Sequence, residues 1–252
     1  MQHLPVSYAV PGEVSSPKFA NAFARGCKGH ATNSPLLLEG PVALFGSPAR
    51  WDLLQTAIAD GRQFFYADHG YFRRGQYYRI AKNAYHGLGL GTYPPDRFLA
   101  CHVDMAPTWR DSGTQVVICP NSTTYMRLFG IDARQWALDV ATEVSKHSDR
   151  PLIIRWKAQA QARPLYHDLH DAHCVIVFSS GAAVEAVRSG IPVITLAPWA
   201  ATRRMGGTEL AQIESPPMPE GREQFIYNLA YEQYTLKEIA DGMAWRRLRE
   251  AA

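Results

Sequence analysis

A chain of 252 residues, 46% apolar and 19% charged, has ample length for one large or two small folded domains and excludes wholesale disorder. Its 26 Lys+Arg against 23 Asp+Glu leave a net charge of +3, which excludes a histone-like or tail-driven nucleic-acid binder. No apolar run approaches the ~18 residues that cross a bilayer, and the start, Met1-Gln-His-Leu-Pro-Val6, lacks the basic and apolar segments of a signal peptide. A soluble, cytoplasmic protein is therefore expected. Cys27, Cys101, Cys119 and Cys174 are scattered with no C-x-x-C pair, so neither a zinc site nor a disulfide framework is expected.

In chain order, Val6 to Val10 and Val42 to Phe45 read as strands, and the stretch from about Pro48 to Ala59 reads as an amphipathic helix. Phe64-Phe-Tyr66 is a strand leading into Asp68-His-Gly-Tyr-Phe72, and Tyr77 to Ala81 is another. Met105 to Gly113, with Pro107, Asp111, Ser112 and Gly113, is the expected linker. Beyond it the grammar is clearer. Val116 to Pro120 is a short apolar run ending in turn residues. Asp132-Ala-Arg-Gln135 resembles a capping box, after which Trp136, Ala137, Val140, Ala141 and Val144 share a helical face. Leu152 to Trp156 is a strand, Leu165 to His170 a short helix, and Cys174 to Phe178 a strand apolar on both faces, as in a parallel sheet. A helix from Gly181 to Arg188 stops at Gly190, and Pro192 to Thr195 begins another strand. Thr235-Leu-Lys-Glu238 is a capping box for a helical tail rich in arginine. The predicted class is α/β: two Rossmann-like halves, residues 1–110 and 111–252, with C-terminal helices on the second.

The chemistry-bearing residues gather at predicted strand ends. Ser179-Ser180-Gly181 stands between a buried strand and a helix, where unpaired N–H groups and hydroxyls suit a diphosphate, with Glu185 about one turn on for ribose hydroxyls. The same residues read equally as an N-cap serine ahead of a tightly packed helix. Arg155 and Lys157 flank one neighbouring strand end and Asn121 and Ser122 another, and ligands of open α/β sheets bind beyond carboxyl ends. In the first half, Asp68 or His69 could take a proton from an acceptor hydroxyl, while Arg79 and Lys82 could neutralise a leaving diphosphate. A simple turn at Asp68 and Gly70 with a surface histidine is the plainer alternative. Gly87-Leu-Gly-Leu-Gly91 looks like a phosphate loop but precedes Pro94-Pro95, so a flexible turn is expected. His167, His170 and His173 do not suit one ion, and no Asp-x-Asp pair occurs, so no metal is expected. Arg73-Arg74, Arg203-Arg204 and Arg246-Arg247, interleaved with Tyr71, Phe72, Tyr77, Tyr78 and Trp245, could grip phosphates and stack on an extruded base, or could be solvated surface over core aromatics.

Residues 165–198, with Ser-Ser-Gly-x-x-x-Glu-Ala186 and Gly190-Ile-Pro-Val193, resemble the donor-binding half of GT-B-type glycosyltransferases. Asp68-His-Gly-Tyr-Phe72, Tyr78-Arg-Ile-Ala-Lys-Asn83 and the tail from Leu229 to Gly242 resemble phage-encoded glycosyltransferases distantly similar to capsule Kdo transferases. The resemblance implies a GT-B-like fold and a nucleotide-activated sugar as donor, held mainly by the C-terminal half. The resulting expectation is a metal-independent glycosyltransferase with no resident cofactor. Its first-choice acceptor is a hydroxymethylated pyrimidine in phage DNA, and a capsular or surface glycan is the alternative. A non-catalytic nucleotide- or nucleic-acid-binding module is the rival from another class.

Overall fold

The computed structural model describes residues 4–46, 50–157 and 163–250. The chain divides into two compact units, Met1–Gly87 with Leu229–Ala252, and Leu88–Asn228. Both are α/β and Rossmann-like, each built on a mostly or wholly parallel sheet.

In the first unit, β1 (Val6–Tyr8), β2 (His30–Thr32), β3 (Val42–Phe45) and β4 (Phe64–His69) run parallel, and β5 (Tyr77–Lys82) and β10 (Gln233–Thr235) add antiparallel strands, giving the order β10-β5-β4-β3-β1-β2. Strand alternation sorts β4 cleanly. Phe65, Ala67 and His69 face one side, and Phe64, Tyr66 and Asp68 face the other. The first side receives α1 (Ser15–Cys27), an element the sequence reading did not anticipate. Its buried Phe19, Ala20, Phe23, Ala24 and Cys27 recur at three- and four-residue spacing, so they form one stripe. That stripe packs with Phe45, Phe65, Tyr78 and Ile80 of the sheet and with Ile239, Ala244 and Leu248 of the tail. Each fully buried phenylalanine contributes about 1.5–3 kcal/mol. Gly26 lets α1 approach the tail closely, since a methyl group there would stand 2.0 Å from the Ile239 carbonyl oxygen. The other side of β4 is covered by α2 (Trp51–Ala59), whose Trp51 meets Tyr66 edge-on at 6.0 Å; the expected start of this helix at Pro48 lies outside the described residues.

The second unit holds β6 (Gln115–Cys119), β7 (Leu152–Ile154), β8 (Ala172–Val177) and β9 (Val193–Thr195), all parallel in the order β7-β6-β8-β9. Every residue of β8 is buried, as expected for a strand covered on both faces. Helix α5 (Ala133–Val144) starts where Asp132 accepts hydrogen bonds from the N–H groups of Arg134 and Gln135, both 2.9 Å. The reciprocal half of the expected capping box is missing, because the Gln135 amide turns to Asp139 at 2.8 Å. The short α3 (Asp96–Leu99) precedes β6, and between the strands lie α4 (Thr123–Arg127), α6 (Tyr166–Leu169) and α7 (Ala182–Arg188).

Two expectations about organisation change. The division falls at residues 87/88 instead of 110/111, because the expected linker is pinned within the second unit. Ala106 N–H donates to Arg188 O, Arg110 N–H to Gly190 O, and the Trp109 indole to Pro219 O. Arg222 of α8 (Arg222–Tyr231) reinforces this, donating to Val187 O at 3.0 Å and to Ala106 O at 2.5 Å while stacking on Trp109. The tail joins the first unit instead of the second. Thr235 ends β10 and caps α9 (Leu236–Ala240) in a complete capping box with Glu238, and α10 (Met243–Glu250) sets Trp245 against Phe23 and Phe65. Gly87–Gly91 is also more ordered than a flexible turn: the buried Asn228 amide donates to the carbonyls of Gly89 and Gly91, each 2.8 Å, and its oxygen accepts from Tyr93 N–H. All four cysteines are buried. Among the described residues, no helix is long and apolar enough to cross a membrane.

Candidate functional site

In the first unit, Asp68 lies inside β4 near its carboxyl end rather than in a turn after it, because β5 pairs along the whole strand in the register Asp68↔Arg79 and His69↔Tyr78. Directly opposed residues of an antiparallel pair share a face, so Asp68 and Arg79 meet. Arg79 Nη2 lies 3.0 Å from Asp68 Oδ2, and Asp68 Oδ1 accepts the His69 N–H at 2.7 Å. The carboxylate remains 33% exposed while the Arg79 side chain is 9% exposed. Burial pushes the Asp68 carboxyl up, but Arg79, the His69 N–H and the charges of His69 and Arg74 outweigh it and hold the group below the usual carboxylate range. Gly46, which follows β3 with φ +47°, stands next to it: a methyl there would be in van der Waals contact, 3.6 Å from Asp68 Oδ1. The result is an ionised, partly accessible carboxylate at the carboxyl edge of a parallel sheet, where ligands of such sheets bind.

Its expected partners do not all gather with it. His69 points to the opposite face, its ring edge-on to Phe45 at 5.3 Å and 6.2 Å from Tyr78, both core residues. Asp68 and His69 therefore cannot act as one catalytic pair. Lys82 sits opposite Phe65 at the far end of β5, three residues from Arg79. An odd spacing places Arg79 and Lys82 on opposite faces, roughly 10 Å apart along the strand, so they do not converge on one phosphate. Arg79 itself is engaged locally. Its Nη1 donates to Tyr85 O at 2.5 Å, and its guanidinium lies 5.8 Å from the Tyr66 ring and 5.6 Å from the Tyr71 ring.

In the second unit the carboxyl ends of β6 and β8 are tied together. Asn121 Oδ1 accepts the Ser179 N–H at 3.0 Å, its amide donates to Ser179 Oγ at 3.3 Å, and Ser179 Oγ donates to the Tyr125 hydroxyl at 3.2 Å. Ser122 caps α4 by accepting the Tyr125 N–H, and Ser180 Oγ accepts the Ala182 N–H at 3.3 Å. Gly181 has φ −59°, which any residue adopts, and a methyl group added to it would meet nothing within 4 Å, so that side is open. Asn121, Ser122, Ser179 and Ser180 are thus brought to one edge, with their hydroxyls first serving the chain.

Arg155 differs from expectation. It is buried, and its guanidinium pairs with the buried Asp168 and donates to Arg163 O at 2.5 Å, while Arg163 Nη2 reaches the other Asp168 oxygen at 3.0 Å. A buried guanidinium needs such a partner, and this one is internal. Lys157 is exposed and precedes residues 158–162, which lie outside the described set. Burial pushes the Cys119 thiol at the end of β6 up to about 12, with Arg155 pulling it down and Asp168 and Glu185 adding to the rise. Glu185 therefore lies close to this strand end, on a half-buried position of α7. Glu185→Ala is expected to weaken nucleotide-sugar binding about 10- to 150-fold while leaving the melting temperature within a few degrees, the loss of one charge-assisted hydrogen bond of about 1.5–3 kcal/mol. Isothermal titration with a nucleotide sugar checks this, and unchanged affinity in a folded variant removes Glu185 from the site.

The other motifs resolve into structure. His173 is buried with its Nε2 2.8 Å from Ile213 O, His170 faces Asp171, and His167 stacks on Tyr166. Phe72 and Tyr78 are buried, and Trp245 packs on the core. Arg203 donates to Thr195 O, and Arg247 lies over Tyr231. Phe72 and Tyr78 are therefore unavailable as base-stacking platforms, while Tyr71 and Tyr77 are half-buried.

No protein-family model matches the chain, and no curated protein matches it in sequence. Its fold resembles that of two solved Kdo transferases. One is Thermosulfurimonas dismutans KpsC, beta Kdo 2,4 transferase, with a TM-score of 0.52 and 14% identity over 90% of each chain. The other is Thermosulfurimonas dismutans KpsC, beta Kdo 2,7 transferase, with a TM-score of 0.51 and 11% identity over 98% of this chain and 100% of that one. At these identities the likeness shows a shared fold.

Several site residues escape a reading of the sequence. Tyr71 flanks Arg79 and accepts the Gly87 N–H at 3.0 Å; burial, with Glu232 adding to it against the pull of Arg79, keeps its phenol protonated. His86 is 5% exposed, its Nδ1 has no hydrogen-bond partner among the described residues, and burial followed by the Arg79 charge keeps its ring neutral. Gln233, buried on β10, accepts the Phe72 N–H at 2.9 Å and touches Gly70, where a methyl would come within 2.7 Å of its Oε1. Only Asp168, 13 residues from Arg155, gave a local signal: an acid on the short helix after the strand that carries the arginine.

Proposed function

We propose that the chain is a glycosyltransferase that moves a sugar from a nucleotide-activated donor to a hydroxyl of a glycan acceptor. The observation that carries this reading is the likeness of nearly the whole chain, 98% of it against 100% of the neighbour, to a protein described as a Kdo transferase. The geometry is compatible with it. The strand ends of the second unit, with Asn121, Ser179, Ser180, Glu185 and the exposed Lys157, form the edge at which the nucleotide sugar is held. Asp68, ionised and partly exposed, takes the acceptor proton as the new bond to the sugar forms and the bond to the donor phosphate breaks, the electron pair leaving with the phosphate. Arg155 is given no part in this, since Asp168 already engages it. The reaction needs no divalent cation in this reading, because the chain has no Asp-x-Asp pair and the exposed Lys157 is the cation that meets the leaving group.

A glycan acceptor is favoured over a hydroxymethylated base in DNA, because Phe72 and Tyr78, two of the aromatics that would stack on an extruded base, are buried and Trp245 packs against the core. The test is incubation of the purified chain with a panel of nucleotide-activated sugars, an activated Kdo among them, in EDTA and in magnesium. Release of free nucleotide above the protein-free rate from one donor class, equal in both buffers, is the expected outcome. Binding of nucleotide without any release is the signature of a non-catalytic module and overturns the reading. Release that requires magnesium overturns the metal-independent mechanism.

A further inference from the structure

We propose that Arg79 is a positioning residue that fixes the Asp68 carboxylate, rather than a contact of the leaving phosphate. This inference rests on the catalytic role given to Asp68 above and deepens it. The geometry is that of a clamp. One guanidinium nitrogen holds Asp68 Oδ2 at 3.0 Å and the other holds the Tyr85 carbonyl at 2.5 Å, so the planar fork spans a carboxylate on one side and a fixed backbone oxygen on the other. The Tyr66 and Tyr71 rings lie within 5.8 Å of the guanidinium carbon, and Tyr71 is itself anchored through the Gly87 N–H. Register adds a third restraint: Arg79 stands between Asp68 on β4 and Gln233 on β10, and Gln233 braces the Gly70–Phe72 segment that follows Asp68. Arg79 thus links the candidate catalytic carboxylate to the C-terminal return of the chain.

The second oxygen of Asp68 is oriented by the His69 N–H, and Gly46 stands beside it, where a methyl group would be in van der Waals contact at 3.6 Å. One oxygen is therefore tied to the cation, while the side chain as a whole stays 33% exposed. The charged and titratable groups around this arrangement are Arg79, Arg74 and His69 about Asp68, and Tyr71, His86 and Glu232 about Arg79. The Tyr71 phenol and the buried His86 ring are both neutral near pH 7, which leaves Arg79 as the principal partner of Asp68 in setting its ionisation.

The experiment compares Arg79→Gln and Arg79→Lys with the wild type for turnover, donor KM and pH dependence, and follows the Asp68 carboxyl by carbon-13 NMR in the unliganded protein. Arg79→Gln is expected to lower kcat on the order of 10²-fold with the donor KM unchanged. Its acid limb and its Asp68 titration should move up together by about 1–3 pH units. Arg79→Lys keeps a charge but lacks the two-point fork, so the acid limb should stay low while kcat still falls. A donor KM that rises with kcat unchanged shows a phosphate contact and overturns the proposal, as does an Asp68 titration unmoved in Arg79→Gln. If Arg79→Gln does not fold, Arg79→Lys decides: full turnover in that variant shows that charge alone suffices and overturns the clamp. Should the wild type transfer no sugar, the transferase reading fails, while the NMR titration still decides whether Arg79 governs Asp68.

Discussion

Asp68→Asn is expected to cut sugar transfer by ~10²–10⁴-fold, the usual contribution of a general base, while nucleotide-sugar affinity measured by calorimetry stays within twofold. The amide keeps the size and planarity of the carboxylate and one acceptor oxygen, so β4 and its pairing with β5 persist. What it removes is the capacity to take a proton. Because the Asp68 carboxyl is held below the usual range, the wild type should keep its activity on the acid side down through the ordinary carboxylate titration, failing only below it. His69→Ala provides the contrast. Its ring packs against Phe45 and Tyr78 on the core face of the sheet, so its loss should appear as a lowered melting temperature with kcat retained in the folded fraction. If Asp68→Asn turns over like the wild type, the proton acceptor is another group and the first-unit site is misplaced. If His69→Ala is stable but inactive, the roles of the two residues are reversed.

The parallel strands of the second unit are legible because each is a short apolar run bounded by turn residues, and burial on both faces demands that pattern. Asp132 and Thr235 are legible for a different reason: a cap acts within three residues, so its chemistry is local in sequence. The stripe of α1, Phe19, Phe23 and Cys27, is equally local, but it is interrupted by polar and small residues and carries no side-chain cap. The wrong boundary came from trusting composition. Pro107 and Gly113 look like a linker, but Arg222, more than a hundred residues away, decides where that segment rests. Site residues divide in the same way. Asp68 stands out as a polar residue after an apolar run, but whether it belongs to a strand depends on pairing with Arg79. The mismatch of Arg79 with Lys82 follows from strand parity and was legible once β5 was assigned. Gln233 holding Phe72 across 161 residues has no local signal at all.

Asp168→Ala is expected to destabilise the second unit by about 3–5 kcal/mol, the cost of leaving one member of a buried ion pair without its partner. Asp168 is 3% exposed and receives both Arg155, 8% exposed, and the more accessible Arg163. Arg163 can swing into solvent when the carboxylate is lost; Arg155 is buried and keeps the Arg163 carbonyl as its acceptor among the described residues. For a chain of this size the loss corresponds to a fall of roughly 6–20 °C in melting temperature, read by calorimetry or circular dichroism. The reciprocal variant separates structure from ligand binding. A phosphate-binding Arg155 predicts that Arg155→Leu loses nucleotide affinity with little change in stability, whereas the internal pair predicts the reverse. Replacing both residues by leucine removes the unpaired charge along with the pair, and such replacements are often neutral or stabilising. The Arg155→Leu/Asp168→Leu double variant should therefore recover most of the stability and bind nucleotide sugar as the wild type does. A stable double variant that no longer binds the nucleotide returns Arg155 to the donor site.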